Sequence, residues 1–160
     1  MSKVVYMLRH AQSLGKQSNQ RDYERTLSLL GVSQARQLGV RLKQLGIGAD
    51  RVLSSSAIRA RETFTLVNES LGLSEEKVYF SDSLYETLMV HCLDEIQRTP
   101  ESATSVLLVG HNPWLSMLAS KLSGSTIELA PCEFMGLTFD VSRWQDVSNR
   151  GKEIHRIKPE

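Results

Sequence analysis

The sequence predicts an α/β protein, a three-layer α/β/α sandwich around a mostly parallel central sheet. Three observations predict it. Short apolar runs of strand length alternate along the chain with segments whose apolar residues recur at three-four spacing. Two of those runs are apolar throughout rather than alternating, as expected for strands buried on both faces. The length of 160 residues suits one domain with a single sheet and leaves little for a second core.

Val4 to Leu8 is the first run, five apolar residues rich in β-branched side chains. Residues 11 to 27 follow, polar and without a period, and longer than an ordinary connection, so they read as a functional loop or flap. Ala35, Leu38, Leu42 and Leu45 mark the first helix, which stops at Gly46. Arg51 to Ser54 is a weaker strand. Ala60, Phe64, Val67 and Leu71 repeat the helical spacing up to Gly72, with Ser56 as the expected N-cap of a helix starting near Ala57. Lys77 to Ser81 is a third short strand. Met89, Leu93 and Ile96 mark the third helix, and Ser105 to Val109 is the second fully apolar strand. Pro113 stands where a first-turn proline opens the fourth helix, through Leu115, Leu118, Ala119 and Leu122. Phe134 to Val141 alternates as a late strand, with an edge strand expected at Glu153 to Ile157.

Composition narrows the function. Hydrophobic residues make up 41% and charged residues 23%, a globular mix, and 19 Lys+Arg against 18 Asp+Glu leave a net charge of +1. There is no broad positive field for nucleic acid, so any phosphate is bound at a site rather than over a face. Cys92 and Cys132 lie far apart with no metal-ligand spacing, which fits a reducing compartment. No apolar run is long enough for an export signal or a membrane span, so a cytoplasmic location without membrane attachment is expected.

In open α/β sheets the ligand crevice lies beyond the carboxyl ends of the strands. Three such ends carry chemistry: Arg9-His10 after the first strand, Ser54 to Arg59 after the second, and Gly110-His111-Asn112-Pro113 after the fourth. A histidine at a strand end is by itself more often a structural residue. Two on one rim, each beside an arginine or a helix start, suit phosphoryl transfer with imidazole as nucleophile and guanidinium groups stabilising the transferring anion. Arg59 would project from the first turn of its helix, where the dipole also favours an anion.

The segments RHAQS, SSSAIRARET, LYE and VGHNP, in that order and covering almost the whole chain, resemble the histidine phosphatase superfamily, whose fold is phosphoglycerate mutase-like. The short chain, RHA at the first strand end, DYERTLSLLGVSQA and VLLVGHNPWLSMLA resemble more narrowly its small phosphohistidine phosphatase branch, the SixA type. The resemblance implies a metal-independent hydrolase without cofactor that passes through a phosphorylated His10, with Arg9, Arg59 and His111 forming the phosphate pocket. It implies a phosphohistidine-bearing protein, such as a histidine-phosphotransfer domain, as partner. Ser13 is either an additional hydroxyl donor or a loop cap, and Arg25 is assigned to closing the polar loop over the pocket. Glu86 in LYE is either a general acid or a carboxylate paired with a site arginine. The branch often reads R-P-L-T where Arg25-Thr26-Leu27-Ser28 stands, a change that keeps a helix cap at Ser28. Trp114, where a small residue is common, is read as packing rather than as a wall of the pocket.

Other chemistries fit less well. Cys92 and Arg98 have the C-x5-R spacing of cysteine phosphatases, but the intervening LDEIQ has no glycine and two carboxylates that would repel phosphate. No HxH or HExxH spacing supports a metal, and His91 and His155 have no supporting context. A phosphomonoesterase of small molecules and a non-catalytic phosphate-recognition module remain as alternatives. With so few residues for substrate-enclosing insertions, the pocket is expected to be shallow and open.

Overall fold

The computed structural model describes residues 1–160. Its six-stranded sheet contains β1 (Lys3–Arg9), β2 (Arg51–Ser55), β3 (Val78–Ser81), β4 (Ser105–Gly110), β5 (Phe134–Phe139) and β6 (Lys152–Ile157). The helices are α1 (Leu29–Gln44), α2 (Ile58–Leu71), α3 (Met89–Gln97) and α4 (Trp114–Ser123). The strand order is β3-β2-β4-β1-β5-β6; the first four are mutually parallel, β5 pairs antiparallel with β1, and edge strand β6 pairs antiparallel with β5.

β1 and β4 occupy the middle of the sheet, and their continuous apolar runs divide by side-chain alternation between its two faces. Val5, Met7, Val106 and Leu108 pack with Cys92, Ile96, Leu115 and Leu118 of α3 and α4. Tyr6, Leu8, Leu107 and Val109 pack with Leu38, Leu42, Phe64 and Val67 of α1 and α2. Each face thus has its own apolar layer, giving the three-layer sandwich read from the sequence.

The helix ends show where local chemistry acts. Ser28 caps α1, its hydroxyl accepting from the Gly31 amide at 3.0 Å. Ser56 does not cap α2. Ala57 holds the N-cap backbone, Ser55 Oγ accepts the Ala57 amide at 3.2 Å, and the Ser56 hydroxyl points instead to Asp82. One residue too early, Ser56 cannot reach the first free amides of the helix. Pro113 precedes α4 rather than opening it, and Asn112 supplies the cap, its Oδ1 accepting from the Ser116 amide at 3.1 Å. Trp114 is buried and packs as expected: a Cβ on Gly110 would come within 2.2 Å of its indole ring. Cys92 lies in the core, where burial pushes its thiol up to about 12, the opposite of what a cysteine nucleophile needs.

Candidate active site

The parallel pairing of β1 with β4 sets Arg9 opposite Gly110, so the residues that follow, His10 and His111, emerge side by side at the carboxyl edge. Their ring centroids are 5.2 Å apart. The His10 amide donates to the Gly110 carbonyl at 3.1 Å, which carries the ladder one step beyond the strand. Thr63 then ties this edge to α2: its Oγ1 accepts from the Ala11 amide at 2.9 Å and donates to the Arg59 carbonyl at 2.7 Å. Arg59 is thereby fixed in the first turn of α2, beside both histidines.

The His10 ring is oriented by a bond from Nδ1 to the Ala11 carbonyl at 2.8 Å. A carbonyl can only accept, so Nδ1 carries the proton and, in the neutral ring, Nε2 carries the lone pair. His10 is neutral at pH 7: burial, reinforced by the positive charges of Arg59, Arg9 and Arg25, pushes its pKa down to about 4. His111 is lowered to about 3, again chiefly by burial and then by His10 and Arg59. Its Nε2 lies 2.7 Å from Ser55 Oγ, while its Nδ1 has no protein partner.

Arg9 donates from Nη1 to the Leu129 carbonyl at 3.0 Å. The Nε groups of Arg9 and Arg59 are, like His111 Nδ1, buried without a partner. Leaving such groups unpaired costs about 1–3 kcal/mol each, so three in one place mark a site for an acceptor-rich ligand. Arg9, His10, Arg59 and His111, the four residues expected to form the pocket, are brought together. No group of three or more His, Cys, Asp or Glu side chains is placed to hold a metal ion.

The polar loop does more than its composition suggested. Its 3-10 turn, Asp22–Glu24, lies against α2, and Asp22 is the centre of a network. Arg59 donates to the Asp22 carbonyl at 2.8 Å and to its carboxylate at 3.0 Å. The Tyr85 hydroxyl donates to the same carboxylate at 2.5 Å, and Arg25 donates to it at 3.0 Å. The Tyr85 bond, followed by those from Arg25 and Arg59, holds Asp22 well below the usual carboxylate range. The Tyr85 ring also stands edge-on to His111, with centroids 5.8 Å apart.

Arg25 and Ser13 both belong to this loop. Arg25 binds the Leu14 carbonyl at 2.9 Å and Ser13 Oγ at 2.8 Å, so the pair stitches the loop shut beside the pocket. Glu86 is exposed and forms neither a hydrogen bond nor an ion pair with a site arginine. The pocket differs from the open one expected from chain length: His10, Arg59 and His111 are only 8, 6 and 5% exposed. The covering comes from Asp22 and Tyr85, which, with Thr63, Ser55 and the Leu129 carbonyl, sequence reasoning did not assign. The signals available were the charge pattern from Asp22 to Arg25 within the loop and the places of Tyr85 in LYE and Ser55 at the second strand end.

A strand-end pair of histidines between two arginines is an arrangement able to hold a phosphoryl group, and the family match agrees with it. Residues 5–89 match the model of the histidine phosphatase superfamily (branch 1), and the chain belongs to that family. Within it, the fold is that of the solved SixA structures. A structure assigned as the phosphohistidine phosphatase SixA of Agrobacterium tumefaciens is 23% identical with a TM-score of 0.85, covering 98% of each chain. A protein histidine phosphatase SixA complexed with tungstate is 22% identical with a TM-score of 0.84, covering 98% of this chain and 97% of that one. A chloroplastic protein of Arabidopsis thaliana is 31% identical over 155 residues, 91% of this chain and 71% of its own. No helix is long and apolar enough to cross a membrane.

Proposed function

We propose that this protein removes phosphate from phosphohistidine in a partner protein, with His10 as the transient phosphate carrier. The observation that carries the reading is the His10 ring: Nδ1 is committed to the Ala11 carbonyl, leaving a neutral Nε2 lone pair among Arg9, Arg59 and His111. Nε2 attacks phosphorus, and the bond from phosphorus to the substrate imidazole breaks. Its electron pair stays on that imidazole, which leaves neutral because its other nitrogen has taken up a proton from solvent, a proton returned when the orthophosphate released in the second step ionises. Arg9, Arg59 and His111 Nδ1–H, with Ser55 donating to His111 Nε2, stabilise the charge on the phosphoryl oxygens. Water then attacks phospho-His10, releasing orthophosphate and restoring Nε2.

The carboxylates support this substrate over an alkyl phosphate. An alkoxide leaving group needs a strong proton donor, whereas imidazole, with a conjugate-acid pKa of about 6.5, does not. Asp22 is held ionised by its three donors, and nothing orients the exposed Glu86. A histidine-phosphotransfer domain is the class of partner that presents such a group.

A histidine-phosphotransfer domain carrying radiolabelled phosphohistidine tests the reading. We expect an acid-labile phosphoenzyme in the wild type and none in His10→Ala. The specificity constant on this substrate should exceed that on p-nitrophenyl phosphate. Equal labelling of His10→Ala would remove His10 as carrier, a higher specificity constant on a sugar phosphate would make the protein a small-molecule phosphatase, and oxyanion binding without turnover would make it a recognition module.

A further inference from the structure

Beside the end of β1, the chain between α4 and β5 forms a turn that ends in a buried acid. Glu133 is 1% exposed, deeper than any other carboxylate in the protein. One of its oxygens accepts the Ala130 amide at 2.9 Å, and the other is paired with the Arg156 guanidinium, which lies across from Met135 on edge strand β6. A buried carboxylate is retained at a cost, and Glu133 has both a charge partner and an amide to satisfy it.

We propose that Glu133 is a positioning residue for Arg9, clamping the Leu129–Glu133 turn whose Leu129 carbonyl holds the Arg9 guanidinium. The proposal rests on the phosphate-site reading given above. The turn needs a clamp: Cys132 has a φ of 60°, a left-handed conformation that a non-glycine residue keeps only when its surroundings enforce it. The turn's C-terminal end is bonded to the backbone that carries the site. The Cys132 amide donates to the Arg9 and His10 carbonyls at 3.1 and 3.0 Å, and the Arg9 amide donates to the Glu133 carbonyl at 3.2 Å. The Leu129 carbonyl receives Arg9 Nη1 and Asn112 Nδ2, both at 3.0 Å, so a shift of the turn moves the guanidinium directly. Glu133 touches no reacting atom, and Arg156 reaches the site only through it.

The test compares Glu133→Ala and Glu133→Gln, each alone and in an Arg9→Ala background. Readouts are thermal unfolding, orthovanadate binding by calorimetry, and kcat and KM on a phosphohistidine domain. Glu133→Ala should weaken vanadate binding and lower kcat/KM by about tenfold each, the scale of one misaligned charge-assisted bond. Glu133→Gln keeps an acceptor for the Ala130 amide and should lose about threefold. In the Arg9→Ala background neither change should cost anything further, because positioning through Arg9 is non-additive with its removal. Lower thermal stability with unchanged vanadate affinity, or an equal loss without Arg9, overturns the proposal. If Glu133→Ala does not fold, Glu133→Gln decides by the same comparison. Vanadate binding needs no turnover, so a wild type that binds vanadate but hydrolyses nothing defeats the phosphatase reading while this proposal is still decided.

Discussion

Asp22 is an anion already seated on the guanidinium that the phosphate is proposed to use. Its carboxylate is about half exposed and shared among Arg59, Arg25 and Tyr85, so its hold on Arg59 is modest. Asp22→Asn keeps an acceptor oxygen while removing the charge, and orthophosphate should then bind about threefold more tightly in competition assays. Weaker binding would mean that the carboxylate serves to aim Arg59 rather than to compete for it. At this scale legibility depended on residue type. Arg9, His10, Arg59 and His111 end or follow strands or open a helix, positions that a one-dimensional reading can locate. Asp22 and Thr63 could not be found in the same way, because an Asp in a polar loop or a Thr inside a helix acquires its role only when distant backbone comes within hydrogen-bond reach. Ser56 misled for a similar reason: capping depends on one residue of offset, finer than a periodic pattern resolves.

Among the elements, the junction of β4 and α4 is the tightest around the site. Gly110 lets the Trp114 indole lie directly against the backbone that delivers His111. Gly110→Ala should cost about 1–3 kcal/mol by overpacking and lower kcat by displacing His111. Gly48→Ala is the matched control, since an added Cβ there meets nothing within 4 Å, and it should leave melting temperature and rate unchanged. A Gly110→Ala protein with wild-type stability and rate would show that the indole moves aside freely. The helices and the two central strands were readable because each repeats its pattern over at least one turn or one strand length. The Asp22–Glu24 turn was not, for three residues hold no period, and its place against α2 comes from side-chain bonds between segments remote in sequence.

Across the whole molecule, two neutral buried imidazoles tie stability to pH. Folded pKa values of about 4 and about 3 lie below the ordinary 6.5, so between these limits the unfolded chain binds protons that the folded chain does not. Their contribution is therefore fully present above pH 6.5, declines as pH falls, and levels off below about 3. Chemical unfolding at pH 7 and pH 5 should show the wild type losing more stability than a His10→Gln/His111→Gln variant. Equal losses would show that the two rings are protonated in the folded protein at pH 5. The three layers and the mostly parallel sheet followed from β1 and β4 being apolar throughout, which only burial on both faces explains. The covering of the pocket was not legible from length, because it uses a loop already present rather than an insertion.

The position of β1 and β4 has one more consequence. Each is bonded to a neighbour on both sides, so their amide protons are expected to be among the slowest to exchange with solvent. The Asp22–Glu24 turn is fastened to the body mainly through Arg59, Tyr85 and Asp82 and can release in a local fluctuation. A phosphate that displaces Asp22 from Arg59 would therefore disturb a turn held by side-chain bonds, while His10 and His111 follow strands bonded on both sides.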